Sequence, residues 1–93
     1  MTKSDLIEAL ATRMDISTRE AGAIVNTLLQ TMTDALANGD NIQIRGFGSF
    51  SIREYAPYEG RNPKSGEKID VKSKKLPFFK VGRELKEKVD AGE

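Results

Sequence analysis

Arg53-Glu54-Tyr55-Ala56-Pro57-Tyr58-Glu59-Gly60-Arg61-Asn62-Pro63-Lys64-Ser65-Gly66-Glu67-Lys68-Ile69-Asp70-Val71-Lys72-Ser73-Lys74-Lys75 is the stretch that constrains everything around it. Gly60, Pro63 and Gly66 punctuate its middle, and the flanks Arg53–Tyr58 and Lys68–Lys74 alternate with the period of two expected of strands. On the second flank Ile69 and Val71 fall on one side, with Lys68, Asp70, Lys72 and Lys74 on the other. One face of such a ribbon has too few hydrophobes to be buried in a core. Residues 55–75 are therefore a projecting two-stranded arm or a disordered loop. An isolated ribbon is marginal in water, so mobility is expected until something binds it.

Upstream of the arm the period is also two. Ile42 and Ile44 alternate with Asn41, Gln43 and Arg45, and Phe50 and Ile52 with Ser49, Ser51 and Arg53. Gly46-Phe47-Gly48 between them is a tight turn, so a hairpin is expected, with Phe47 and Phe50 in the core. Downstream, Leu76-Pro77-Phe78-Phe79 returns to apolar character, and a short helix carries Leu85 and Val89 four apart. The antiparallel sheet is thus expected over 41–54 and 76–82, with the helix over 83–90.

Residues 1–40 have helical periodicity. Thr2 is placed to cap a helix with Leu6, Ile7, Leu10 and Met14 on one face. Asp15-Ile16 interrupts it, and Ser17-Thr18-Arg19-Glu20 has the spacing of a capping box that opens a second helix. There Ala21, Ile24, Val25, Leu28, Met32, Ala35 and Leu36 keep the three-and-four spacing, and Leu29 widens the stripe. Asn38-Gly39 closes it, since glycine accepts the left-handed cap. Two helices joined by so short a break form a hairpin. The fold class is α+β: a helical hairpin, a three-stranded antiparallel sheet with a protruding ribbon, and a short C-terminal helix.

The chain has 93 residues, no Cys and no His, which points to one domain over 1–93. No disulfide or thiolate metal site is possible, and the usual general base is missing. With no clustered carboxylate pair either, no acid–base arrangement can be named and an enzyme is not expected; nor is a cofactor, a metal or a small-molecule substrate. No stretch approaches the ~18 apolar residues of a membrane span, so the expectation is a cytosolic protein with no membrane partner.

The net charge is +1, but its distribution is uneven. Residues 1–40 hold three basic and six acidic residues, a balance of −3, whereas residues 53–80 hold eight and four, a balance of +4. Such a separation suits a protein that meets a polyanion with one region. Without the arm, only about 70 residues remain to build a core, a size at which an unstapled core is marginal. The stripe on the second helix is also longer than the first helix can cover. Dimerisation is the remedy these features suggest.

Three segments carry a resemblance: Arg45-Gly46-Phe47-Gly48-Ser49-Phe50, Gly60-Arg61-Asn62-Pro63-Lys64-Ser65-Gly66 and Phe79-Lys80-Val81-Gly82-Arg83-Glu84-Leu85. They resemble the signature segments of the bacterial HU and integration host factor family, and the resemblance spans essentially the whole chain. The Arg-Asn-Pro triplet is its most specific part. Arg45 before Gly46, together with Ala56-Pro57, looks more like the beta-type branch of integration host factor than a typical HU.

The resemblance implies an intertwined dimer, with an identical chain or a paralogous subunit, that binds double-stranded DNA in the bacterial nucleoid. Residues 1–40 would serve dimerisation and 55–75 would clasp the duplex. Leu28, Met32, Phe47, Phe50 and Phe79 would form the dimer core. Pro63 would be the wedge between base steps in the minor groove, with Arg61 and Asn62 beside it at base edges or sugars. Arg53, Lys64, Lys68, Lys72, Lys74, Lys75 and Lys80 are candidates for phosphate contacts. The resemblance also implicates Arg45 and the backbone N–H groups around Lys3-Ser4 and Gly82-Arg83, since helix N-termini bind anions. Gly46 and Gly48 either let the backbone approach phosphate or simply serve a tight turn.

Two departures stand out. Many HU arms carry Arg where this chain has Tyr55 and Tyr58. Beta-type subunits can place an acidic residue two before the arginine at 45 to hold it for sequence readout, and here Gln43 stands there. The rival functions are a protein-interaction module built on the helical dimer and an RNA-binding member of the same fold.

Overall fold

The computed structural model describes residues 1–56, 58–61, 66, 68–71 and 73–92, with 58–61 and 68–71 as backbone only. The elements in order are α1 (Lys3–Met14), α2 (Thr18–Ala37), β1 (Ile42–Ile44), β2 (Gly48–Tyr55), β3 (Tyr58–Arg61), β4 (Lys68–Val71), β5 (Lys74–Val81) and α3 (Arg83–Asp90). They divide into two compact units, residues 1–35 and 36–93.

In the first unit the helix ends are set by local hydrogen bonds. The Asp5 N–H donates to Thr2 Oγ1 at 3.1 Å and the Thr2 N–H donates to Asp5 Oδ2 at 2.9 Å, a reciprocal capping box. The sequence shows Thr2 as a cap, but Asp in place of the usual Glu or Gln hides the return bond. At the other end Asp15 adopts the left-handed conformation (φ 56°, ψ 49°), and the Ile16 N–H closes back on the Ala11 carbonyl at 3.0 Å. Aspartate tolerates this conformation better than most residues, so the break falls where the periodicity fails. Ser17 Oγ then accepts the Glu20 N–H at 3.0 Å and opens α2. Gly39 (φ 83°) follows the last turn of α2, its N–H donating to the Leu36 carbonyl.

The seam between the two helices is short. Ala11, Ala21 and Val25 are the buried hydrophobic side chains among the described residues. Elsewhere on the stripe Ile24, Leu28 and Leu29 are exposed, Leu28 by 57%, whereas Ala35 and Leu36 are half-buried. Met32 is half-buried.

The second unit is built on a sheet of order β1-β2-β5, antiparallel throughout. The turn from β1 to β2 closes with the Phe47 N–H donating to the Ile44 carbonyl at 2.9 Å, and Gly46 at its third position has φ 86°. A type II turn needs that positive φ, which glycine supplies. The β2–β5 ladder reaches Tyr55 opposite Lys74, so Tyr55, Lys74 and Lys75 belong to the sheet rather than to the arm. Pro77 sits on the edge strand β5, where its missing N–H is tolerated. Beyond the ladder, β3 and β4 pair as a separate two-stranded ribbon with Tyr58 opposite Val71 and Arg61 opposite Lys68.

Candidate nucleic-acid interface

Side chains alternate across a strand, and residues directly opposite in a ladder share a face. The register therefore sorts the sheet into two surfaces. One carries Ile42 and Ile44 of β1, Gly48, Phe50, Ile52 and Glu54 of β2, and Lys75, Pro77, Phe79 and Val81 of β5. The other carries Gln43, Ser49, Ser51, Arg53 and Tyr55, with Lys74, Leu76, Phe78 and Lys80 across from them. The first is apolar apart from Glu54 and Lys75 at its arm end. The second holds three cations and no carboxylate.

The apolar surface is organised around Phe79. Its ring packs against Phe50, directly opposite, at a centroid distance of 4.7 Å, and against Phe47 at 5.7 Å, both tilted. Tilted aromatic pairs of this kind add to area burial. Gly48 is buried beneath the cluster: a Cβ there would stand 2.6 Å from the Phe79 ring and 2.7 Å from the Lys80 carbonyl oxygen. Packing thus explains Gly48, and the turn explains Gly46. Phe47 remains 45% exposed and Phe79 38%.

At the turn end of the sheet the candidate residues converge. Gln43, Arg45, Gly46, Gly48, Ser49, Lys80 and Gly82 border an open depression of about 520 Å³. Its walls are held by α3: the Gly82 N–H donates to the Phe47 carbonyl at 2.8 Å and the Leu85 N–H to the Gly46 carbonyl at 3.2 Å. A Cβ at Gly82 would stand 2.9 Å from the Phe47 backbone, so only glycine allows this approach. The Gly82 amide is thereby engaged within the protein. Gln43 lies in the same depression as Arg45, where its amide can hydrogen-bond a guanidinium but cannot pair with it as a carboxylate would.

The remaining candidates are dispersed. Lys3 and Ser4 lie in the first turn of α1, and the Thr2–Asp5 box beside them uses the Thr2 and Asp5 amides and leaves theirs outside it. The box also holds the Asp5 carboxyl below its ordinary pKa of 3.8, chiefly through the Thr2 backbone N–H and then the Thr2 side chain. Arg83 pairs with Glu87 at 2.9 Å on the exposed side of α3, a contact worth about 0.3–0.5 kcal/mol. Lys75 stands on the face opposite Lys74 and Lys80. Arg61 and Lys68 occupy the far end of the β3–β4 register. Asn62, Pro63, Lys64 and Lys72 lie outside the described residues.

Ser49 and Ser51 share the cationic face but were not among the residues expected from sequence. The alternation Ser49, Ser51, Arg53 is the signal that points to them.

Comparisons with known proteins identify the family. A family described as bacterial DNA-binding protein matches residues 1–90. The integration host factor subunit beta of Shewanella pealeana is 52% identical over 92 residues, covering 98% of this chain and 97% of its own length. That of Bordetella petrii is 54% identical over 91 residues, 97% of this chain and 76% of its own. Among solved structures, the Anabaena HU–DNA cocrystal structure aligns with a TM-score of 0.89 at 37% identity, covering 96% of this chain and 97% of that one. With the family match spanning residues 1–90 and relatives of about half identity along nearly the whole chain, the chain belongs to the HU and integration host factor family of bacterial DNA-binding proteins, which are architectural proteins and not enzymes.

Proposed function

We propose that this chain is one subunit of a dimer that binds duplex DNA across the cationic face of its sheet and bends it with two ribbon arms. The observation that carries the reading is the division of the β1-β2-β5 sheet. Arg53, Lys74 and Lys80 share one face without a carboxylate, and the strands of that face lead directly toward the arm. Each cation that meets a phosphate releases counterions, so affinity should fall with salt by a slope of about −0.9 per phosphate. A surface of this kind supplies affinity without demanding a sequence. Gln43 in place of a carboxylate beside Arg45 favours shape over base readout.

The dimer follows from the exposed apolar surface. Ile24, Leu28 and Leu29 on α2, Phe47 and Phe79 on the sheet, and Val89 of α3, 70% exposed, are left open. Large hydrophobic side chains exposed on several elements suit a surface that another protein covers. A second copy, or a paralogous subunit, would cover it. Residues 1–40 serve this dimerisation in our reading, and the protein acts at the nucleoid.

The bend is assigned to Pro63. A rigid apolar side chain at an arm tip can enter the minor groove and partly unstack a base step at a cost of a few kcal/mol, offset by phosphate contact along the bent duplex. In this reading Arg61 and Asn62 meet base edges or sugars beside it, and Lys64, Lys68 and Lys72 are assigned to phosphates. The test is energy transfer between the ends of a labelled duplex at saturating protein, with complex size measured alongside. Pro63→Ala should relax the bend while leaving the salt slope unchanged. A variant that bends as sharply as the parent reduces Pro63 to a turn residue.

A further inference from the structure

Phe78 is out of place. It stands on the cationic face of the sheet, directly opposite Ser51, with Arg53 and Lys80 as neighbours on the same surface. It is half-buried although most of the described strand residues on that face are polar. What covers it is Arg53: the guanidinium carbon lies 3.4 Å from the centroid of the Phe78 ring. Arg53 pairs in register with Leu76, so the contact with Phe78 is a diagonal one across the β2–β5 ladder.

We infer that Phe78 is a positioning residue for duplex binding, and that its ring holds the Arg53 guanidinium flat with its N–H edge presented to a backbone phosphate. The inference rests on the cationic face being the DNA-binding surface. A guanidinium stacked on an aromatic ring keeps its in-plane donors, which suit the paired oxygens of a phosphate. The stack also restricts a long side chain before binding, so less freedom is lost when the phosphate arrives. Lys74 and Lys80 act as mobile point charges, whereas Arg53 is a pre-aimed fork. Lysine cannot replace it here, because an ammonium has no planar face to stack.

The test measures affinity for a short duplex over a salt series, after circular dichroism has established that each variant is folded. Phe78→Leu should bind about two- to fivefold more weakly, the scale of an exposed cation–π contact, with the salt slope intact because no charge is removed. Phe78→Tyr should bind like the parent. Arg53→Lys should lose about as much as Phe78→Leu, also at constant slope, and it tests the stack even if Phe78→Leu fails to fold. Arg53→Gln should lower the slope by about one, and in that background Phe78→Leu should have no further effect.

An equal loss from Phe78→Leu with and without Arg53 makes Phe78 merely structural and overturns the inference. So does an Arg53→Lys chain that binds as tightly as the parent. If Arg53→Gln leaves both affinity and slope unchanged while the parent binds DNA, the inference fails but the DNA-binding reading stands. A parent chain that does not bind duplex at all removes both.

Discussion

The helical unit and the sheet unit bury their apolar residues in different ways, and the difference separates what holds the protein together from what it grips. In residues 1–35 order comes from local devices: a reciprocal box at Thr2 and Asp5, a left-handed stop at Asp15 and a serine cap at Ser17. The seam they frame holds three small or medium side chains, and Ile24, Leu28 and Leu29 of the α2 stripe are left exposed. In residues 36–93 order comes from a ladder and an aromatic cluster, and the two faces of one sheet have opposite chemistry. A helix with an uncovered stripe asks for another protein surface. A sheet face whose described strand residues carry three cations and no carboxylate suits a polyanion.

The comparison is broken most severely by charging the open stripe. Leu28→Asp should abolish the dimer, and with it most of the fold, because an unpaired buried charge costs on the order of 3–5 kcal/mol. Sedimentation and thermal unfolding at micromolar concentration report both losses. A parent chain that stays a folded monomer under those conditions, both alone and mixed with a paralogous subunit, refutes the assignment of the stripe to dimerisation.

Within the sheet unit the largest effect should come from Gly48→Ala. The added methyl group would meet the Phe79 ring at 2.6 Å and the Lys80 carbonyl at 2.7 Å. A ring can shift but a ladder carbonyl cannot move freely, so a loss of about 1–3 kcal/mol is expected. For a domain of this size each kcal/mol lowers the thermal midpoint by roughly 4–8 °C. An unchanged midpoint would mean that the aromatic cluster is loose.

Lys74 and Lys75 sharpen the comparison without touching stability. They are neighbours in sequence and stand on opposite faces of β5. Lys74→Ala should reduce the salt slope of duplex binding by about one, and Lys75→Ala should leave it where it was. Equal effects would show that the arm end of the sheet is gripped from both sides.

Much of this is legible in the sequence. The three-and-four spacing of Ala21, Val25 and Leu28 gave the long helix, the alternation around Phe50 gave the hairpin, and Gly46 and Gly39 marked their own turns. What the sequence withheld is whatever depends on register. Lys74 and Lys75 look equivalent until the ladder assigns them to faces, and the ladder outlasts the compositional change at Tyr55. The Arg53–Phe78 contact joins residues twenty-five apart along a diagonal that no periodicity encodes. Gly48 reads as a turn residue because the ring that forbids its Cβ arrives from β5. The return bond of the α1 box is hidden for a simpler reason: aspartate at its third position makes the same bond as the longer acids the motif favours.

That bond yields the smallest effect, and it distinguishes charge that serves folding from charge that serves binding. Asp5 accepts the Thr2 N–H at 2.9 Å at the positive end of the α1 dipole, and its pKa is held below 3.8 in the folded chain. A carboxyl whose pKa is depressed by folding contributes stability that is fully present above its unfolded pKa. The contribution is lost as pH falls through the folded value. Asp5→Asn keeps an acceptor for the Thr2 N–H but removes the charge. The variant should therefore unfold slightly earlier than the parent above about pH 5, by a margin that does not change up to neutrality. Below about pH 4 the two midpoints should converge as the parent's carboxyl takes up its proton. Other carboxylates titrate in both chains and cancel in the difference. Thermal unfolding of the pair across this range measures it directly. A gap that persists undiminished in acid would mean that the asparagine perturbs the cap geometry, and that the charge at the head of α1 contributes nothing to the fold.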